Sequence, residues 1–206
     1  MTDIEGVIKY QLHHIDAELP KQVDIAQLNA WRTLLFKLNL IGQDPLRYQG
    51  LGYGNISQRL NHRQFIISGT QTGHLDKLQK NDYCLITEAN PAQNQIYSQG
   101  LIKPSSEALT HASLYQNDDS INAVIHVHSP IIWQNTEALN LAHTAAHIAY
   151  GTPDMANAVA ELLMSNPDIS LFTMLGHEDG VIAFGNNLNS TASLLIQQLS
   201  TAFALY

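Results

Sequence analysis

The chain has 206 residues, 45% of them apolar and 14% charged, with a net charge of −8. That length suits a single domain over residues 1–206, and the apolar share is enough for a real core. The acidic balance without clustered Lys or Arg excludes a nucleic-acid binder, and no run of about 18 apolar residues is present to span a membrane.

The low charged fraction points to a surface partly covered by partner subunits. Cys84 is the one cysteine and sits in an apolar run, so it reads as a packed strand thiol with no internal disulfide. The N-terminus, Met1 to Glu5, is acidic and lacks a signal-peptide pattern, which leads us to expect a cytoplasmic protein.

In chain order, Val23, Ala26, Leu28, Trp31, Leu34, Leu35 and Leu38 have helical spacing, so a helix is predicted over 22–39, with Gly42 beyond its end. Segments 54–60, 64–68 and 82–87 read as strands between turn residues. Pro104-Ser105-Ser106-Glu107 opens a second helix with Ser105 as its cap. Residues 121–128 form a strong strand, and Thr152-Pro153-Asp154 starts a further helix, with Thr as cap and Pro in the first turn. Two strands at 170–176 and 181–184 and a final helix over 190–205 complete the pattern. Mixed short strands and helices predict a layered α/β or α+β domain.

The strand ending at residue 128 carries the chemistry. Side chains repeat every two residues along a strand, so His126 and His128 share one face, with Cα atoms roughly 7 Å apart. Zinc–nitrogen bonds of about 2.0–2.1 Å let two such imidazoles reach one ion. The opposite face, Ile121, Ala123, Ile125 and Val127, is apolar and anchors the strand. Zinc needs at least one more protein ligand. His177, at the end of an apolar run, is the foremost candidate, with His143, His147 and His111 as others; spacing does not choose among them.

Three further stretches are rich in hydrogen-bond donors. Gly52 to Ser57 and Ser68 to Gly73 offer glycine turns whose backbone N–H groups can approach an anion. Ser105 and Ser106 lie at a helix start, which favours negative charge. No Walker-type motif accompanies them, so a small phosphate or carboxylate fits better than a nucleotide. Glu107, beside them, becomes a general base or reversible ligand if a metal lies near.

Together these elements resemble the class II aldolase/adducin family. The resemblance rests on Gly54-Asn55-Ile56-Ser57, the loop ending Thr72-Gly73, Lys103-Pro104-Ser105-Ser106-Glu107 with His111, and Asn122 to Ser129 with its two histidines, in that order. Gly176-His177 through Gly185 looks like the family's closing segment, and the likeness covers roughly residues 25–200. It implies a three-layer αβα domain around a mixed, largely antiparallel sheet. It further implies a divalent metal, zinc foremost, on His126, His128 and His177; Glu107 as acid/base; and Gly54, Asn55, Thr72, Gly73, Ser105 and Ser106 around a substrate phosphate. Tyr150 is the candidate for the tyrosine that family aldolases use as proton donor. The implied activity is a lyase that cleaves a small phosphorylated sugar or hydroxyketone by a retro-aldol step through a metal-stabilised enediolate, in a homotetramer. A 4-epimerase, a dehydratase and a non-catalytic adducin-like module are the alternatives, and the retained histidines and Glu107 weigh against the last. Two departures stand out. Glu178-Asp179 intervene between His177 and Gly180, where the family has His followed by Gly, which makes either acid an alternative to His177 as third ligand, and the stretch from His128 to Tyr150 is shorter than in the sugar-phosphate aldolases.

Overall fold

The structure is a computed structural model that describes residues 6–206; the acidic Met1–Glu5 segment lies outside the described residues. In chain order the elements are β1 (Gln11–Asp16), α1 (Ala26–Lys37), β2 (Gly42–Gln43), β3 (Gly52–Tyr53), β4 (Asn55–Arg59), β5 (Phe65–Ser68), β6 (Tyr83–Asn90) and β7 (Gln95–Gly100). There follow α2 (Ala108–Asn117), β8 (Ala123–His128), α3 (Pro130–Gln134), β9 (Ala142–Thr144), α4 (Pro153–Ser165), β10 (Leu171–Met174), β11 (Gly180–Gly185) and α5 (Leu188–Phe203).

Among the described residues nine strands form one sheet in the order β1-β7-β6-β5-β4-β8-β11-β10-β9. Only the outermost pairs, β1 with β7 and β10 with β9, are parallel. The mixed, largely antiparallel sheet expected from the sequence is therefore present. β8 lies at its centre, paired with β4 and β11. That position suits a strand of Val, Ile and Ala, buried along its whole length.

Helices cover both faces, giving three layers. On one face Leu28 and Leu35 of α1, Ile132 of α3 and Leu188, Ala192 and Leu195 of α5 pack against Ile56, Ile66, Ile125, Val127 and Val181. On the other, Leu109 and Ala112 of α2 and Met155 and Val159 of α4 pack against Ile67, Ile86, Val124, Phe172 and Ile182. The two-residue strand period explains the split: Ala123, Ile125 and Val127 face the first layer, while Val124, His126 and His128 face the α2/α4 side. α2 is buried from Ala108 to Tyr115 with no exposed face, because α4 covers the side that the sheet does not.

Helix ends differ in part from the sequence reading. Thr152 caps α4 as expected, its hydroxyl accepting from the Met155 N–H with Pro153 in the first turn. α2 instead starts at Ala108, with Glu107 in the cap position. Ser105 acts one turn earlier: its hydroxyl accepts from the Glu107 N–H and its carbonyl from the Ala108 N–H. The last helix starts at Leu188 because Asn187 caps it through the Ser190 N–H. Cys84 is buried in β6. Among the described residues no helix is long and apolar enough to cross a membrane.

Candidate metal centre and anion cradle

His126 and His128 end β8 on its α2/α4 face. β11 runs antiparallel beside them, with Gly180 opposite His128 and Ile182 opposite His126. A turn from His177 to Gly180, closed by Gly180 N–H donating to the His177 carbonyl at 2.9 Å, brings His177 back over the pair. Ligand atoms of the three histidines all lie within 4.8 Å of one another. Their ring centroids are 4.7–5.0 Å apart, and all three side chains are buried. Of the four third-ligand candidates the sequence left open, His177 is the one brought to the pair. Its neighbour Glu178 is exposed, and Asp179 turns to a different partner, described below.

His126 and His128 are held in the neutral form. Burial holds His126 and His128 well below the ordinary histidine range, and the nearby His177 adds to the effect in both. The Val181 carbonyl lies 3.3 Å from His126 Nδ1. A carbonyl only accepts, so Nδ1 carries the proton and Nε2 presents a lone pair. That Nε2 is buried and has no hydrogen-bond partner among the described residues. A buried ring nitrogen left open within a three-histidine cluster is what a borderline-soft divalent cation such as zinc would satisfy, so the residues fit the ion.

Glu107 closes another side of the cluster. Its Oε1 is 3.4 Å from His177 Nδ1, and the residue is 1% exposed. Tyr150, also buried, stacks on His177 with centroids 4.6 Å apart, and its hydroxyl accepts from the Val7 N–H. Lys9 Nζ lies over the Tyr150 ring, 3.8 Å from its centroid. His111 is on α2, one turn beyond Glu107; its Nδ1 is 2.7 Å from the Ser57 hydroxyl, which in turn meets the Tyr115 hydroxyl at 2.7 Å. His143 lies on edge strand β9 and is exposed, and His147 is exposed in the loop that follows.

The predicted anion-binding residues form one cavity. Gly54, Asn55, Thr72, Gly73, Ser105 and Ser106 all line it, with Gly52 and Gln71. The cavity adjoins the histidines through two connections: Asn55 pairs with His126 across β4 and β8, and Ser106 precedes Glu107 in the chain. Two glycines make the approach possible. Gly54 has φ +72° and packs against Ile41 and the His126 carbonyl, while a Cβ on Gly73 would meet the Gly42 carbonyl oxygen at 2.1 Å. The Gln71 carboxamide closes one wall, its Oε1 accepting from the Gly52 N–H at 3.0 Å.

Two supports of the site escape the sequence reading. Arg32 of α1 is 1% exposed and donates to the Thr72 carbonyl at 2.9 Å and to the Leu75 carbonyl, holding the Thr72–Gly73 loop from behind. Its signal was an arginine on an apolar stripe, at the helical spacing Leu28, Arg32, Leu35. The other is the segment Arg47-Tyr48, which lies over His128. Tyr48 meets the His128 ring edge-on at 4.5 Å, and Tyr53 lies 5.4 Å away.

Comparison with known proteins concerns the family and the fold. The model of the Class II Aldolase and Adducin N-terminal domain matches residues 46–205. A protein of Mycoplasma pneumoniae named probable L-ribulose-5-phosphate 4-epimerase UlaF is 31% identical over 110 residues, 52% of this chain and 42% of that protein. L-fuculose phosphate aldolase of Methanococcus maripaludis is 43% identical over 77 residues, 37% of each chain. The matches thus span less than half the length of either curated relative. Among solved structures, L-fuculose-1-phosphate aldolase from Thermus thermophilus superposes with a TM-score of 0.64 over 87% of this chain and 91% of its own, at 19% identity. Another L-fuculose 1-phosphate aldolase gives 0.64 over 92% and 86%, at 18% identity. At that identity the likeness is one of fold.

Proposed function

Since the chain belongs to the class II aldolase and adducin family, we propose that it is a zinc-dependent lyase acting on a small phosphorylated sugar or hydroxyketone by retro-aldol cleavage. The observation that carries this reading is the buried three-histidine cluster beside Glu107 and next to the donor-rich cavity. Under it, His126, His128 and His177 hold the ion. A divalent cation bound there would supply Lewis-acid polarisation of substrate oxygens.

The chain's own residues supply the rest. Asn55, Thr72, Ser105 and Ser106, with the backbone of Gly54 and Gly73, hold the phosphate and fix the reacting carbons relative to the histidines. Binding energy from that remote group goes into orientation. In the retro-aldol step the β-hydroxyl loses its proton as its carbon becomes an aldehyde, and the α-carbon of the other fragment gains one. Glu107, adjoining the cluster, carries the proton, and Tyr150, stacked on His177, is the second proton-bearing group. The burial of the cluster excludes bulk water, so the charge that develops is met by fixed groups.

The test combines metal analysis and turnover. Purified protein should carry one divalent ion per chain, His126→Ala should lose it, and Glu107→Gln should lower turnover of the cleaved substrate by about 10²–10⁴-fold. A metal-free protein whose turnover is unaffected by His126→Ala would sink the proposal. The relative named as a 4-epimerase favours a second reading, epimerisation by cleavage and re-addition on the same residues. Product analysis over a panel of phosphorylated sugars separates the two: free aldehyde and ketose fragments mark the lyase, and an inverted C4 with no released fragment marks the epimerase.

A further inference from the structure

The two residues that separate His177 from Gly180 have a structural use. Asp179 adopts a left-handed backbone, φ +62°, which closes the turn. Its carbonyl accepts from the Ser129 N–H at 2.8 Å, tying the turn to the residue after His128. Its carboxylate accepts from the Tyr48 hydroxyl at 2.6 Å, and Arg47 Nη2 lies 3.5 Å from the same oxygen. Arg47 also donates to the Tyr48 hydroxyl, so the guanidinium, the phenol and the carboxylate form one connected group. The Tyr48 ring, at the same time, packs edge-on against His128.

The backbone that delivers this tyrosine is itself unusual. Tyr48 and Gln49 both have positive φ, +48° and +59°, and Gly50 follows at +75°. Left-handed conformations are unfavourable for residues with a Cβ, and two in succession persist only where surrounding contacts hold them; such conformations cluster at functional sites. Here the contacts that hold the turn run to the histidine cluster.

We propose that Tyr48 is a positioning residue for the metal ligands, its ring fixing His128 and its hydroxyl, through Asp179, fixing the turn that presents His177. The inference rests on the metal reading above and adds a residue to it. One tyrosine restrains two ligands that are 49 positions apart in sequence, His128 and His177. The Glu178-Asp179 insertion becomes the counterpart that this tyrosine needs. Outer contacts of this kind typically alter metal affinity by about 10–100-fold when removed.

The test is zinc affinity, by competition with a chromophoric chelator, together with the visible spectrum of the cobalt-substituted protein. Tyr48→Phe deletes only the hydroxyl, keeping the ring on His128. It should bind zinc at least about 10-fold more weakly than wild type and shift the cobalt bands. Asp179→Asn keeps an acceptor oxygen and a side chain that tolerates the left-handed backbone, so it should retain close to wild-type affinity. Wild-type affinity and an unchanged cobalt spectrum in Tyr48→Phe would overturn the inference alone, even if the melting temperature fell. A wild-type protein that binds neither ion would overturn the metal reading, and the inference with it.

Discussion

A protonated imidazole has no lone pair to give a metal, so the surroundings of each histidine decide whether it can be a ligand. Burial supplies the condition for His126 and His128, and the Val181 carbonyl selects the tautomer of His126. The proposed anion cradle depends on single atoms in the same way. Asn55→Ala and Thr72→Ala each remove one side chain that lines it, and hydrogen bonds to charged groups are worth about 1.5–3 kcal/mol. Each variant should raise KM for a phosphorylated substrate by roughly 10–100-fold while leaving the affinity for zinc unchanged; isothermal titration with zinc and steady-state kinetics check the two halves. The sharing of a face by His126 and His128 was legible because it needs only the period of a strand. Arg32 and Tyr48 were not, because their partners lie 40 and 131 residues away and no local pattern encodes such pairs.

Elements were legible where their own ends carry the signal. Thr152-Pro153 marks α4, and its hydroxyl meets the Met155 N–H while also donating to the Ala149 carbonyl. Thr152→Ala should cost about 1 kcal/mol, lowering the melting temperature by about 2–4 °C in a scanning calorimeter. The cap position of α2 lies two residues beyond the one that the sequence suggests, for a physical reason. Ser105 does cap, but it caps a separate turn, and that turn holds Ser105 and Ser106 at the cavity before the helix starts. Strands β1, β7 and β9 went unassigned. β1 is polar and largely exposed at the sheet edge and β9 has three residues, so neither shows the alternation on which a strand assignment depends; β7 alternates in burial, but its sequence, Gln-Ile-Tyr-Ser-Gln-Gly, places Ser and Gly at two of its buried positions.

Across the molecule, the candidate metal ligands His126 and His128 and the nearby His111 together give the fold an acid response. Burial lowers His111 to about 3 and holds His126 and His128 low as well. Unfolding returns each to about 6.5, so below that pH the unfolded chain binds more protons than the folded one. The stability these neutral histidines contribute is complete above about pH 6.5 and is lost as pH falls towards His111's folded value. Denaturant unfolding of metal-free protein should therefore show stability declining from about pH 6.5 to about pH 4, and His111→Gln should flatten that decline. Zinc acts in the opposite direction: at 100 times its dissociation constant it should add about 2.7 kcal/mol, raising the melting temperature, and a chelator should reverse the gain. The likeness to known structures fixes the three-layer fold over most of the chain, and the histidine cluster at the end of its central strand is where the proposed chemistry resides. Anomalous diffraction at the zinc edge from a crystal of zinc-loaded protein tests that claim most directly. We predict one peak per chain, bonded to nitrogens of His126, His128 and His177 at about 2.0–2.1 Å. A peak elsewhere, or one that leaves any two of these histidines uncoordinated, would contradict it.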